Sequence, residues 1–98
     1  MPDTYHDEGR RLRTLASKPD VRFRFRDHAL DEMAKDGITM LDVRSMLRRC
    51  SVVRAEQNRF EETWNADGSD ADGRRMTVVV VAYEDTITIK VVTAWRRT

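Results

Sequence analysis

Apolar residues alternate strictly with arginine in "VRFRFR" at 21–26, setting Val21, Phe23 and Phe25 on one side and Arg22, Arg24 and Arg26 on the other. Period two sustained over such a stretch predicts a half-buried strand. The period then changes. Ala29, Leu30, Met33 and Ala34 recur at helical spacing up to Asp36, with Asp27 in the place of an N-cap and Gly37 as the stop beyond the last turn. Thr39 with Asp42 three residues on is the short-armed form of a capping box. It opens a second helix in which Met40, Val43, Met46, Leu47 and Cys50 share a side. The pattern predicts two helices joined by a tight "DGIT" corner.

Ahead of the strand, residues 3–17 carry a thin apolar stripe of Leu12, Leu15 and Ala16, with charge on the other sides. This predicts a peripheral N-terminal helix within 1–18 that packs lightly, and Pro19 disfavours helix at Lys18. Beyond the helical pair come extended segments around 51–55 and 58–64, then the polar loop "NADGSDADG". "RRMTVVVVAY" is apolar on both faces, as a central strand should be. A turn about Glu84-Asp85 returns it into "TITIKVVTAW", where Ile87, Ile89, Val91, Thr93 and Trp95 share a face and Trp95 reads as core. The expected order is α-β-α-α-β-β-β-β in a single domain, 1–98, whose core is 21–97. That is an α+β fold with helices packed on one face of a mainly antiparallel, curved sheet of four or five strands.

With 40% hydrophobic and 36% charged residues and a net charge of +1, the chain is globular with a heavily charged skin and no general attraction to nucleic acid. Binding of that kind has to come from local clusters. The longest apolar run, "VVVVAY", falls far below the ~20 residues that span a bilayer, and the N-terminus lacks the apolar segment of a signal peptide. A cytoplasmic location with no membrane partner is expected. Cys50, the single cysteine, cannot form an internal disulfide and reads as a small core residue in a reducing compartment.

Two basic clusters stand out. Arg22, Arg24 and Arg26 lie ~6–7 Å apart along one strand face, close to the spacing of phosphates along an extended RNA strand. Each guanidinium can hold a phosphate bidentately; the plainer reading is a solvated strand face kept charged against aggregation. His28 follows at the helix start, where that face ends. Imidazole takes and gives protons near neutrality. RNA cleavage through the 2′-hydroxyl needs such a group, with cations for the charge growing on the phosphorane. Glu32, four residues on, can pair with the imidazolium; the alternative is a structural, hydrogen-bonding histidine. The second cluster is Arg74-Arg75 with Arg96-Arg97, which a hairpin about Glu84-Asp85 brings to the same end of the sheet.

"DGSDADG" offers Asp67, Asp70 and Asp72 but lacks the downstream bidentate glutamate of a calcium loop, so it reads as a polar loop. No His/Cys set has zinc spacing and no Gly-rich phosphate loop is present, so neither metal nor cofactor is expected.

The succession "RFRDHALDEMAKDGITMLDVRSMLRR", then a strand region, then "GRRMTVVVVAYEDTITIKVVTAWRR" resembles the small bacterial proteins grouped as domain of unknown function 4258. The layout is similar to the BrnT toxins and, more distantly, to the RelE/ParE superfamily, over about residues 22–97. The resemblance implies a compact toxin-like fold, cleavage of mRNA, often on the ribosome, and silencing by a cognate antitoxin bound to the same basic face. By position, His28 matches the helix-start histidine, and Arg75 and Arg96 match basic positions on the closing hairpin. The expectation is therefore a toxin-like RNA-binding protein, an mRNA endoribonuclease of a type II toxin–antitoxin system. In it His28 transfers the proton, Arg75 and Arg96 stabilise the phosphorane, and Arg22, Arg24, Arg26, Arg74 and Arg97 hold the RNA. The alternative is a non-enzymatic protein-binding or regulatory module on the same scaffold. Oligomeric state is left open.

Overall fold

Residues 4–97 are described by a computed structural model of the chain. The elements run α1 (His6–Ala16), β1 (Arg22–Phe25), α2 (Asp27–Lys35), α3 (Met40–Leu47), β2 (Ser51–Gln57), β3 (Glu62–Ser69), β4 (Arg75–Tyr83) and β5 (Thr88–Arg96). All five strands join one open sheet in the order β1-β5-β4-β3-β2. The pairings β2–β3, β3–β4 and β4–β5 are antiparallel, whereas β1 runs parallel to β5 with Arg24 opposite Lys90 and Phe25 opposite Val91. The class is α+β as expected. The sheet is mixed, because the first strand closes onto the last.

One face of the sheet carries the helices. Leu12, Leu15 and Ala16 of α1, Ala29 and Met33 of α2, and Val43, Met46 and Leu47 of α3 share a single core with Val52, Trp64, Ala66, Met76, Val78, Val80, Ile89, Val91 and Ala94. α1 is therefore part of the core and does not pack lightly. Its stripe is thin, but Gly9 lets the helix approach β2 so closely that a Cβ there would stand 3.4 Å from the Val52 amide nitrogen. The Arg13 guanidinium also donates to the Cys50 carbonyl at 2.9 Å, and Arg11 pairs with Glu84 in the β4–β5 turn. The part of the expected N-terminal helix that falls on residues 1–3 lies outside the described residues.

The helix ends follow the local chemistry, with one shift. Arg26, not Asp27, is the N-cap of α2, since its extended backbone still belongs to the strand and its N–H donates to the Val91 carbonyl at 3.1 Å. Asp27 sits inside the first turn, where its charge complements the helix dipole. Gly37 takes φ 66 and closes α2: Ile38 N–H donates to Met33 and Gly37 N–H to Ala34, at 2.8 and 3.3 Å. This is a Schellman closure, and only glycine enters that conformation without strain. Thr39 and Asp42 form the full reciprocal capping box of α3, at 3.0 and 2.9 Å.

Two sequence expectations fail for reasons of face. Asn65 to Ser69, read as loop, belong to β3 and pair with β4 from Val79 to Arg75. Polar side chains are tolerated there because their side of the sheet is uncovered, while Ala66 and Gly68 face the helices. A Cβ on Gly68 would meet Met46 Cγ at 3.0 Å. In β5 the register slips between Val79 and Val80, which face Thr93 and Val91, so Val92 is an extra residue. A one-residue bulge exchanges the two faces beyond it. Ala94 thus enters the core, while Trp95, expected there, lies on the other side and is 39% exposed.

Cys50 is buried as expected, and burial pushes its thiol up to about 11. Thr39→Ala removes one half of the capping box and is expected to lower unfolding stability by about 1 kcal/mol. Urea denaturation checks this, as a lower midpoint with an unchanged slope.

Candidate functional site

Among the described residues no helix covers the second face of the sheet. Strand alternation and register place on it Arg22 and Arg24 of β1, Lys90, Thr93 and Trp95 of β5, Thr77, Val79, Val81 and Tyr83 of β4, and Asn65 and Asp67 of β3. Arg75 stands at its far edge, opposite Ser69.

The parallel β1–β5 pairing builds one corner of this face. It sets Arg24 opposite Lys90 and Arg22 opposite Thr88, while the β4–β5 hairpin sets Tyr83 opposite Thr88. An open cleft of about 440 Å³ results, lined by Arg24, Phe25, Arg26, Asp27, Tyr83 and Lys90. A neighbouring depression shares Arg24 and Tyr83 and adds Arg22. Arg22, Arg24 and Arg26 are all exposed, and among the described residues no acid lies within ion-pair distance of them. Lys90 is engaged: its Nζ lies 2.9 and 3.0 Å from the two Glu61 oxygens. Tyr83 also donates its hydroxyl to Glu61, at 2.9 Å. The Lys90 ammonium, then the Tyr83 hydroxyl, hold the Glu61 carboxyl below the usual range against the opposing effect of burial, and the charge of Arg26 adds to them.

His28 is exposed at the second position of α2, two residues beyond Arg26. Glu32, its expected partner, pairs instead with Lys35 at 3.3 Å.

The second basic cluster does gather at one end of the sheet, though the turn is longer than the expected Glu84-Asp85: residues 84–87 form it, with Tyr83 opposite Thr88 and Met76 opposite Arg96. Arg97 N–H donates to the Arg75 carbonyl at 3.1 Å. Acids occupy most of this cluster. Arg96 points to the helix side: its guanidinium lies 2.8 Å from the Asp70 carboxylate, which is fully buried, and 3.8 Å from Asp42. Its backbone N–H donates to Asp36 at 2.9 Å. Arg74 also reaches Asp70, at 3.3 Å, and Arg97 pairs with Asp67. Asp70, read as a loop residue, organises the turn by accepting from the N–H groups of Asp72 and Arg74, both at 2.9 Å. Burial raises its carboxyl, yet the Arg74 amide and the Arg96 guanidinium prevail and hold it below the ordinary value.

His28, Arg75 and Arg96 are therefore not brought together. His28 lies near the start of α2, about 12 Å by the helix rise from Asp36, which accepts from the Arg96 N–H, and Arg75 and Arg96 project to opposite faces. The structure assembles instead the arginine row with Lys90, Tyr83 and Glu61, three residues that sequence reasoning did not select. Lys90 left one signal: it breaks the apolar run of "TITIKVVT" at the outward-facing parity.

Among the described residues no three His, Cys, Asp or Glu side chains are grouped to hold a metal ion, and no helix is long and apolar enough to cross a membrane. A family model described as Domain of unknown function (DUF4258) matches residues 25–96, spanning α2 to β5 with His28, Glu61, Tyr83 and Lys90. No curated protein matches the chain.

The depressed Glu61 carboxyl fixes a sign for the pH dependence. A carboxyl whose folded value lies below its unfolded value of about 4.3 contributes stability that is present above that value and lost as pH falls through the folded one. Asp70 acts in the same direction. Glu61→Gln is expected to flatten the loss of stability between about pH 5 and pH 2, seen as urea midpoints that fall less steeply with acid than those of the wild type.

Proposed function

The chain belongs to the DUF4258 family, and on that premise we propose that it is a toxin-like RNA-binding protein, an mRNA endoribonuclease of a type II toxin–antitoxin pair. Single-stranded RNA lies across the uncovered sheet face. The observation that carries this reading is the row of exposed arginines without acid partners, set beside Lys90 and Tyr83. A row of cations at ~6–7 Å intervals suits successive phosphates. A surface kept charged only for solubility would gain nothing from leaving three guanidinium groups side by side without an ion-paired acid.

In this reading Arg24, Arg26 and Lys90 stabilise the phosphorane, a role the sequence suggested for Arg75 and Arg96. His28, next in the chain after Asp27 of the cleft lining, takes the proton from the 2′-hydroxyl. The 2′-oxygen bonds to phosphorus, the bond to the 5′-oxygen breaks, and that oxygen leaves with a proton from water in the open cleft. The products are a 2′,3′-cyclic phosphate and a 5′-hydroxyl. Glu61 holds Lys90 and the Tyr83 hydroxyl until a phosphate takes over those donors. Trp95 offers a stacking surface further along the face, and Arg75 a terminal phosphate contact. Arg74 and Arg97 are tied to acids and contribute less. A cognate antitoxin silences the protein by covering the same face.

A second reading, a binding module without catalysis, draws on the separation of His28 from Arg75 and Arg96. The two are told apart by inducing expression in a bacterial host and by incubating purified protein with RNA. Wild type is expected to arrest growth and cleave RNA, and His28→Ala to bind RNA normally without cleaving it. Arg24→Ala and Lys90→Ala are each expected to weaken binding and to reduce the slope of log affinity against log salt by about 0.7. RNA bound but left intact by the wild type selects the second reading as an RNA-binding regulator; no RNA binding at all excludes the first reading and leaves the second as a protein-binding module.

A further inference from the structure

The turn joining β2 to β3 ends in Phe60, whose side chain is 87% exposed, the most exposed large apolar residue described. The turn beneath it is built. Asn58 N–H donates to the Glu61 carbonyl at 3.0 Å, and the Asn58 side-chain oxygen accepts from Phe60 N–H and Glu61 N–H at 2.9 and 2.8 Å. Gln57 adds a bond to the Asn58 carbonyl at 3.0 Å. The same turn is bolted to the cationic corner, because the next side chain, Glu61, holds both Lys90 and Tyr83. The backbone that carries an aromatic ring into water is thus held about 3.8 Å from the next residue, Glu61, which touches Lys90. Arg59, on its other side, is exposed and has no acid partner among the described residues.

Resting on the RNA reading of that corner, we propose that Phe60 is a stacking platform for an unpaired nucleobase of the strand whose phosphates lie on Arg24, Arg26 and Lys90. Cations for the backbone beside a ring for the base are the combination that single strands select. In a duplex the faces of the bases are already covered by their neighbours, so the platform favours single-stranded over paired RNA. Self-association through this tip is disfavoured by area. A phenylalanine supplies about 150–250 Å² where a stable interface needs about 800 Å² per partner, and its neighbours Arg59, Glu61 and Glu62 are charged.

The test is fluorescence anisotropy with a short labelled 2′-O-methyl RNA, which resists cleavage, offered as a single strand and as a blunt duplex. Phe60→Ala is expected to bind the single strand about tenfold more weakly, with an unchanged salt slope because the cations are intact, and to bind the duplex as the wild type does. Phe60→Trp is expected to retain affinity, with its fluorescence quenched on binding. Phe60→Leu keeps apolar bulk without a π face and is expected to lose as much as alanine; wild-type affinity in Phe60→Leu overturns stacking. Equal affinity of Phe60→Ala and wild type for the single strand overturns the inference and leaves the proposed function standing, whether or not self-association changes. Failure of the wild type to bind either RNA overturns both.

Discussion

The pairing of the first strand with the last is the constraint on which the candidate site depends. β1 has four residues, and its attachment is made by backbone bonds such as Arg22 N–H to Ile87 and Arg26 N–H to Val91, at 2.9 and 3.1 Å. Its inner side is pinned by Phe23 and Phe25, whose rings stack with centroids 6.4 Å apart, the Arg44 guanidinium lying over that of Phe23. Everything that distinguishes the basic corner follows from that contact. Without it the arginine row has neither Lys90 nor Tyr83 beside it and is an ordinary charged strand. The contact is also the most non-local in the sheet, so its loop-closure entropy must be overcome before the corner exists.

The two basic clusters show how neighbours decide the work of one residue type. At the far end of the sheet, Asp36, Asp42 and Asp70 converge on Arg96, tying the end of α2, the start of α3 and the β3–β4 turn to the last residue of β5. Enclosing a guanidinium in this way carries a desolvation cost that the acids must offset, and the return is a fixed arrangement of three separate segments. At the near end Arg22, Arg24 and Arg26 have no such partners. One set of arginines is spent on architecture and the other remains available to a ligand.

Local signals are legible in the sequence. The alternation of β1, the Gly37 stop and the Thr39 capping box depend on residues within a few positions of one another, and each occurs where its chemistry places it. The features that the sequence does not disclose all depend on distant partners. Asn65 to Ser69 look like loop until β4 lies beside them on an uncovered face. Leu12 and Leu15 look like a thin stripe until Gly9 admits them to the core. Arg96 reads like Arg24 in sequence, since one of the acids that claims it is 60 residues away. The grouping of Lys90, Tyr83 and Glu61 has the same origin: three segments contribute one residue each, and none carries a motif of its own.

The bulge at Val92 has a consequence for descent as well as for shape. In a period-two element the identity of a face is a matter of counting, and one supernumerary residue decides which of Trp95 and Arg96 meets water. A related chain lacking that residue would turn its tryptophan inward and its arginine outward with every side chain conserved. Its open face would gain a cation and lose a ring, while the aspartates gathered under β5 would lose the guanidinium they surround. Insertions and deletions of one residue in this strand are therefore changes of surface chemistry, and comparison of relatives by residue type alone would overlook them.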